Sequence, residues 1–529
     1  MVSRNEAYRS TRWGTARGLV RVTALEALAA LGWLASPGGA AAQGAGGTID
    51  LTLERMVQLA LSNSYDVRFL NMDVEETRQR LRAERARLRS SVELEVSAPD
   101  FQSISETQYN STLGRNQIIR ENSRRWEAEL SIRQPVILFG YPTNGYLSLN
   151  NRVYRYAQRD EDGERDLTYY NRYFVEYTQP LFQPNELRNS LAQAELDLES
   201  AEVDFTEDVL EIVQETSEDY FQLFENRYRE EINAGFVANL ERGLEVAQGL
   251  ASADPSRAID SDQISVELAN AREQLQQSLS QFRLQAAQLR TQLALAPSDV
   301  ISVDPVIELR PIEVDVQRAT AFAMELAPTL RELDIEYRAG EIELDETQGE
   351  DGFRVDVSLS YGREMQDPAF SEMWDEPSNS YTLDVNAFVP IWDWGERDAR
   401  VQASQIELTQ TELQIEQARA EIVSDVQNEV RNIEELQQRA LSMQGNLALA
   451  TNLSTQSLER YRDGSITVVD LLQSFRRQVD TAGNFIDAYL GWRQALLSLQ
   501  ELTYYDFEFD APVLERFGID PSAGAGVTP

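Results

Sequence analysis

The 529-residue chain has no cysteine, no histidine and no lysine, so all 48 of its basic residues are arginine. Without cysteine and histidine there are no thiol nucleophiles, disulfides, Cys/His zinc sites, or Ser-His and Cys-His dyads. Catalysis would have to rest on carboxylate, tyrosine or arginine alone. No enzyme is expected, and neither a cofactor nor a metal. Carboxylate pairs are numerous, but 88 acidic residues produce such pairs by chance, and no pocket signature accompanies them. The formal charge of −40 argues against a nucleic-acid partner, because phosphate binding needs a basic face. An acidic surface without lysine suits high-salt surroundings, where like charges are screened. Long apolar runs are missing as well. After residue 34 nothing approaches the roughly 20 apolar residues of a membrane-spanning helix, so any crossing of a bilayer must use strands.

What is present begins with an export signal. Arg4, Arg9, Arg12, Arg17 and Arg21 precede a mostly apolar stretch, 22–34, which Glu26 interrupts. Ala40, Ala41 and Ala42 then supply small residues for cleavage. Residues 1–42 are therefore read as a signal peptide. No cysteine follows, which excludes a lipid anchor on a mature N-terminal cysteine.

The rest of the chain matches itself. Residues 60–96 align without a gap on 323–359, an offset of 263, with Leu70 on Leu333 and Leu81 on Leu344. Residues 178–182 align on 388–392, an offset of 210. The first half thus holds 53 extra residues between Val96 and Thr178. Two tandem repeats are expected, 43–297 and 298–505, each reading helix, β region, very long helix, break, second long helix. Residues 506–529 are left as a C-terminal tail.

The long helices carry coiled-coil spacing. Val423, Val426, Val430, Ile433, Leu436, Ala440, Met443 and Leu447 recur at threes and fours, as do Leu187, Leu191, Ala194, Leu198, Ala201 and Phe205. The apolar stripe is narrow, so these helices must stand side by side with water on more than one face. The β regions alternate strictly. Trp126, Ala128, Leu130 and Ile132 interleave with polar residues, as do Val355, Val357, Leu359 and Tyr361, and Tyr381, Leu383, Val385 and Ala387. That is the pattern of a sheet with lipid on one face and water on the other. Tyrosines at 146, 154, 156, 169, 170, 173 and 177 gather beside them, a residue type favoured at membrane interfaces. One chain offers about four to six such strands, fewer than the roughly eight that close a barrel. An open edge is not tolerated in lipid, so several copies must share one barrel.

Read together, these segments resemble the TolC-like family of outer-membrane efflux and export ducts, over nearly all of the mature chain. The carriers are Leu51-Thr-Leu-Glu54 with Ala60-Leu61-Ser-Asn63, Gln179-Pro-Leu-Phe182, Val389-Pro-Ile-Trp-Asp-Trp-Gly395, and Tyr461-Arg-Asp-Gly464 followed by Val469-Asp470-Leu-Leu472. The resemblance implies a mixed α and β fold: a transmembrane β-barrel shared between three protomers, on a long α-helical coiled-coil periplasmic tunnel. It implies a cell outer-membrane location, a periplasmic adaptor protein and an inner-membrane transporter as partners, and passive conduction. Pro180, Pro390 and Gly395 fall at the strand-to-helix elbows. Asp470, Asp260 and Tyr461 fall at the periplasmic gate, with Asp262 as an alternative to Asp260. The family's gate arginine is replaced by Ile466, and a second ring aspartate by Gln473. Family members usually give four strands per protomer. The extra segment, around Phe139-Gly-Tyr-Pro-Thr-Asn-Gly145, is expected to add two more, with an external or periplasmic flap as the other possibility. The exit duct of a type I protein-secretion system is a second reading within the class. A surface-anchored coiled-coil structural protein is a third, which predicts one β region where the sequence has two.

Overall fold

A computed structural model describes residues 48–110, 114–159 and 165–519. The expected signal peptide lies outside the described residues. Strand β1 (Thr48–Asp50) leads into helices α1 (Leu53–Asn63) and α2 (Tyr65–Arg87). Each helix starts on a hydroxyl cap: Thr52 accepts from the Arg55 amide at 3.3 Å and Ser64 from the Asp66 amide at 3.0 Å. Strands β2 (Ser91–Asn110), β3 (Arg115–Leu138), β4 (Tyr141–Arg159) and β5 (Arg165–Leu181) follow. Next come the long helices α3 (Glu186–Ala253) and α4 (Ala258–Gln292). Strand β6 (Val300–Ser302) returns to pair in parallel with β1. Helices α5 (Val316–Leu326) and α6 (Pro328–Gly349), strands β7 (Arg354–Asp367) and β8 (Ser378–Phe388), and helices α7 (Glu396–Arg462) and α8 (Val468–Thr503) complete the order. The starts of α1 and α5, and of α2 and α6, lie 263 residues apart; those of α3 and α7, and of α4 and α8, lie 210 apart. These are the two offsets at which the sequence matches itself.

Helices α3 and α7 run for 68 and 67 residues, each about 100 Å at 1.5 Å per residue. Neither contains a proline, and their buried positions form the stripes seen in the spacing: Leu187, Ala194 and Phe205 on α3, Val426, Val430, Ile433 and Ala440 on α7. The remaining faces stay wet, so no thick core forms. Packing is instead a chain of small clusters along the helix pairs.

Strands β2-β3-β4-β5-β7-β8 form one antiparallel six-stranded sheet in that spatial order. The 53 extra residues therefore supply β3 and β4, inside the sheet. Directly paired residues share a face, and one such row crosses all six strands: Val92, Ile132, Leu149, Val175, Tyr361, Tyr381. Its members are exposed except for half-buried Ile132, and the neighbouring Leu94, Leu130, Leu359, Leu383 and Val385 are exposed too. Water does not tolerate an apolar surface of this extent on a soluble protein. The opposite face is polar. There Arg152 of β4 pairs with Glu127 at 2.9 Å and Glu129 at 2.7 Å on β3, and Arg125 pairs with Glu127 at 2.7 Å. No helix among the described residues is long and apolar enough to cross a membrane.

The segment after 505 is more than a tail. Strands β9 (Tyr505–Asp506) and β10 (Ala511–Pro512) make a hairpin, and helix α9 (Val513–Arg516) docks Val513 among Val57, Leu61, Val67, Val209 and Val213. Beside it, a cleft of about 530 Å³ is lined by Glu207, Glu211, Glu215, Glu218, Glu501 and Tyr504. Glu332 of α6 reaches the Glu207 carboxyl of α3 there, with Asp204 also nearby, and the two chain halves meet acid to acid. Burial first, then the contact with Glu207, pushes the Glu332 carboxyl up to about 7. A carboxyl raised in the folded state contributes stability that is fully present below its unfolded value near 4.5 and is lost as pH rises through about 7. Glu332→Gln should therefore raise the thermal midpoint at pH 8 and leave it unchanged near pH 4. An equal midpoint at pH 8 would mean that the fold does not raise the Glu332 carboxyl.

Candidate functional site

Two helix turns lie together at the ends of the long helices. In one, α3 ends at Ala253, Asp254 caps a short turn by accepting from the Ser256 amide and hydroxyl at 3.0 and 2.7 Å, and α4 starts at Ala258. In the other, α7 ends on Arg462 and Gly464 takes the left-handed conformation (φ +71°) that lets its amide bond the Tyr461 carbonyl at 3.0 Å. Thr467 then caps α8. Phe236, Leu240, Ile264, Leu268, Leu471 and Phe475 pack the two turns against each other, and Ile466 rests on that cluster. A two-pronged ion pair from Arg476 on α8 to Glu267 on α4, at 2.8 and 2.6 Å, ties them again higher up.

The predicted gate residues divide between two jobs. Tyr461 is fully buried, and its hydroxyl donates to Asp260 Oδ2 at 3.1 Å. Arg257 Nε donates to the same oxygen at 3.2 Å, and its guanidinium lies 5.3 Å from the Tyr461 ring centre. Burial, followed by the hydrogen bond to Asp260, pushes the Tyr461 phenol up to about 12, so it remains a donor across the biological range. This Asp-Arg-Tyr group joins one helix pair to the other within a single protomer. Asp470 does something else. Its Oδ2 accepts the Thr467 amide at 3.0 Å and hydroxyl at 2.7 Å, while its own amide donates to Thr467 Oγ1 at 3.3 Å. That is a capping box at the start of α8, and the two Thr467 donors hold the Asp470 carboxyl below the usual carboxylate range. Asp262 is exposed.

Sequence reasoning missed Arg257, having sought the arginine at 466. The signal was available at the offset of 210, which places Arg257 on Thr467 and Asp260 on Asp470. Both aspartates are third residues of a helix. Where the cap is a threonine, the aspartate closes a box on it. Where that position is an arginine, which cannot accept, the aspartate turns to the cation and to Tyr461.

At the opposite end, the strand-to-helix elbows hold the other predicted residues. Pro180 is the penultimate residue of β5, opposite Asp356 on β7. Asn185 caps α3, accepting from the Arg188 amide at 3.1 Å and donating to the Pro142 carbonyl at 2.5 Å. Asn144 accepts from the Leu187 amide at 3.3 Å and donates to the Pro184 carbonyl at 2.5 Å. The β3–β4 turn is thus sewn to the start of α3. At the second elbow Pro390 follows β8, and Gly395 stands at the N-cap of α7 with φ +82° and no side-chain cap of its own. Asp393 replaces that cap, accepting from the Gly395 and Arg397 amides, which hold its carboxyl low. Around these turns Phe139, Tyr141, Phe182, Ile391, Trp392 and Trp394 are all exposed. This concentration of aromatics at one end of an apolar sheet face matches a bilayer interface.

The comparisons with known proteins agree with this architecture. Residues 323–503 match the family model described as outer membrane efflux protein. Among curated proteins no sequence matches. The Campylobacter jejuni CmeC outer membrane channel is 12% identical with a TM-score of 0.62, over 89% of this chain and 90% of that one. CusC is 13% identical with a TM-score of 0.62, over 87% and 93%. The outer membrane protein VceC from Vibrio cholerae is 13% identical with a TM-score of 0.59, over 86% and 95%. The resemblance to TolC-like outer-membrane efflux proteins is thereby shown, by a family match in the second half and by the fold along most of the chain. Proteins of this family are channels and not enzymes.

Proposed function

We propose that this chain is the outer-membrane duct of a tripartite efflux or export system, working as a homotrimer. The observation that carries the reading is the apolar row from Val92 to Tyr381 on one face of a sheet whose other face is charged. Lipid outside and water inside account for both faces at once. The sheet ends on two unpaired edges, β2 and β8, and lipid offers their amides and carbonyls no partner. Pairing β8 of one copy with β2 of the next satisfies both, and three copies close the ring. The long helices then form a periplasmic tunnel, and the element starts at offsets of 263 and 210 support reading each protomer as two tandem repeats.

In this reading the paired turns around Tyr461, Asp260 and Arg257 are the gate at the far end of the tunnel. An inner-membrane transporter supplies the energy and a periplasmic adaptor joins it to the duct. Residues 1–42 direct export and are removed near Ala42. The test is protein purified from an outer-membrane fraction, weighed in detergent by light scattering and added to a planar bilayer. A mass of three protomers and discrete conducting steps are expected. A monomer with its strand content intact would contradict the shared barrel.

A further inference from the structure

The position of the extra hairpin has a geometric consequence for the mouth of the duct. Strands β3 and β4 are inserted between β2 and β5, not hung on an edge. Both flanks are laddered: β2 pairs with β3 from Ser91↔Arg133 to Asn110↔Arg115, and β4 pairs with β5 from Tyr146↔Thr178 to Arg159↔Arg165. Swinging the hairpin out as a flap would strip the ladders from β2 and β5 together. The inserted strands also carry their share of the outer apolar face through Leu130, Ile132, Leu147 and Leu149, and on the inner face they are bridged by Arg152 to Glu127 and Glu129. They are wall strands in every respect the sheet defines.

We propose that three copies close an eighteen-stranded barrel, half as wide again as the ring that four strands per protomer would make. The inference rests on the trimeric reading above. Six strands per chain in three chains, spaced about 4.8 Å apart and tilted about 40°, measure about 110 Å around. Twelve strands, from the family's usual four per protomer, would measure only about 75 Å. Barrels of this strand number enclose an open aqueous channel.

The absence of native cysteine makes a direct measurement possible. Leu383 lies on the outer face of β8 and is exposed, so Leu383→Cys accepts a spin label without disturbing the lumen. In a threefold ring the labelled backbone sites stand about 31 Å apart for eighteen strands and about 21 Å for twelve. Pulsed dipolar spectroscopy on the detergent trimer should show the longer spacing, increased further by the outward label arms. Val175→Cys on β5 should report the same separation, because a circular ring has one radius. Spacings about 10 Å shorter at both sites would overturn the proposal and put the hairpin outside the ring. Absence of a dipolar signal together with a monomeric mass would instead remove the trimer itself, and the inference with it.

Discussion

Arg516→Ala is expected to destabilise the region joining the two halves of the chain by roughly 3–5 kcal/mol, the usual cost of stranding one member of a buried ion pair. Asp506 is 1% exposed and has Arg516 as its charged partner. The same guanidinium reaches Glu54 of α1 at 3.1 Å and lies 3.6 Å from the Phe509 ring centre. The Glu508 and Phe509 amides, at 2.8 and 3.2 Å, continue to serve Asp506 in the variant, which favours the lower end of the range. Close by, Arg318 of α5 binds Asp510 at 2.5 Å and the Tyr505 hydroxyl at 2.8 Å, and Tyr505 stacks on Phe322 at 3.9 Å. The C-terminal segment is therefore a clasp: it holds α1 through Glu54 and α5 through Arg318. Thermal unfolding followed by helical circular dichroism, with limited proteolysis of the C-terminal segment, measures the loss. Adding Asp506→Asn should recover part of it, because an amide is cheaper to bury than an unpaired carboxylate. A double variant no better than Arg516→Ala would show that the stranded charge was not the cost.

The second large effect concerns the proposed gate. Asp260→Ala should raise the resting conductance of the duct. It leaves the buried Tyr461 hydroxyl without its acceptor and Arg257 without its carboxylate, at a cost of about 1–3 kcal/mol to the arrangement in which the two turns meet, which is the closed one in the proposed reading. Since 1.4 kcal/mol is a factor of ten in an equilibrium, the open population should grow roughly tenfold. Tyr461→Phe removes one donor and keeps the packing, so it should act in the same direction and less strongly. Asp470→Ala should differ in kind. Asp470 closes a box on its own helix and makes no bond across to α4, so resting conductance should change little. Its exposed carboxylate, repeated threefold in the proposed trimer, nevertheless adds to the negative potential at the opening. Block by a trivalent cation from the periplasmic side should weaken in Asp470→Ala and weaken further when Asp260→Ala is added. Single-channel recording separates the two roles. Unaltered block in the double variant would move the ring elsewhere, with exposed Asp262 the next candidate.

Much of this protein is written locally, and local physics was enough to read it. The threes-and-fours from Val423 to Leu447 define a helix and its buried side, because 3.6-residue geometry brings those positions onto one stripe. The alternation from Val355 to Tyr361 defines a strand with two unlike faces for the equivalent reason. The self-match at two offsets located the insertion of 53 residues before any strand pairing was known. None of these needs a distant partner.

What the tertiary structure alone decided are the long-range pairings. Whether the insertion joined the sheet or stood off it depended on which strands β3 and β4 bond, and the alternating pattern is the same in either case. The partner of Asp260 is Tyr461, 201 residues away, and the arginine beside them is three residues before Asp260 instead of the one expected at 466. The tail became a clasp through Arg516 and Glu54, 462 residues apart. Hydrogen bonds and ion pairs of this kind act over about 3 Å in space and leave no periodic trace along the chain, so only the folded arrangement reveals them.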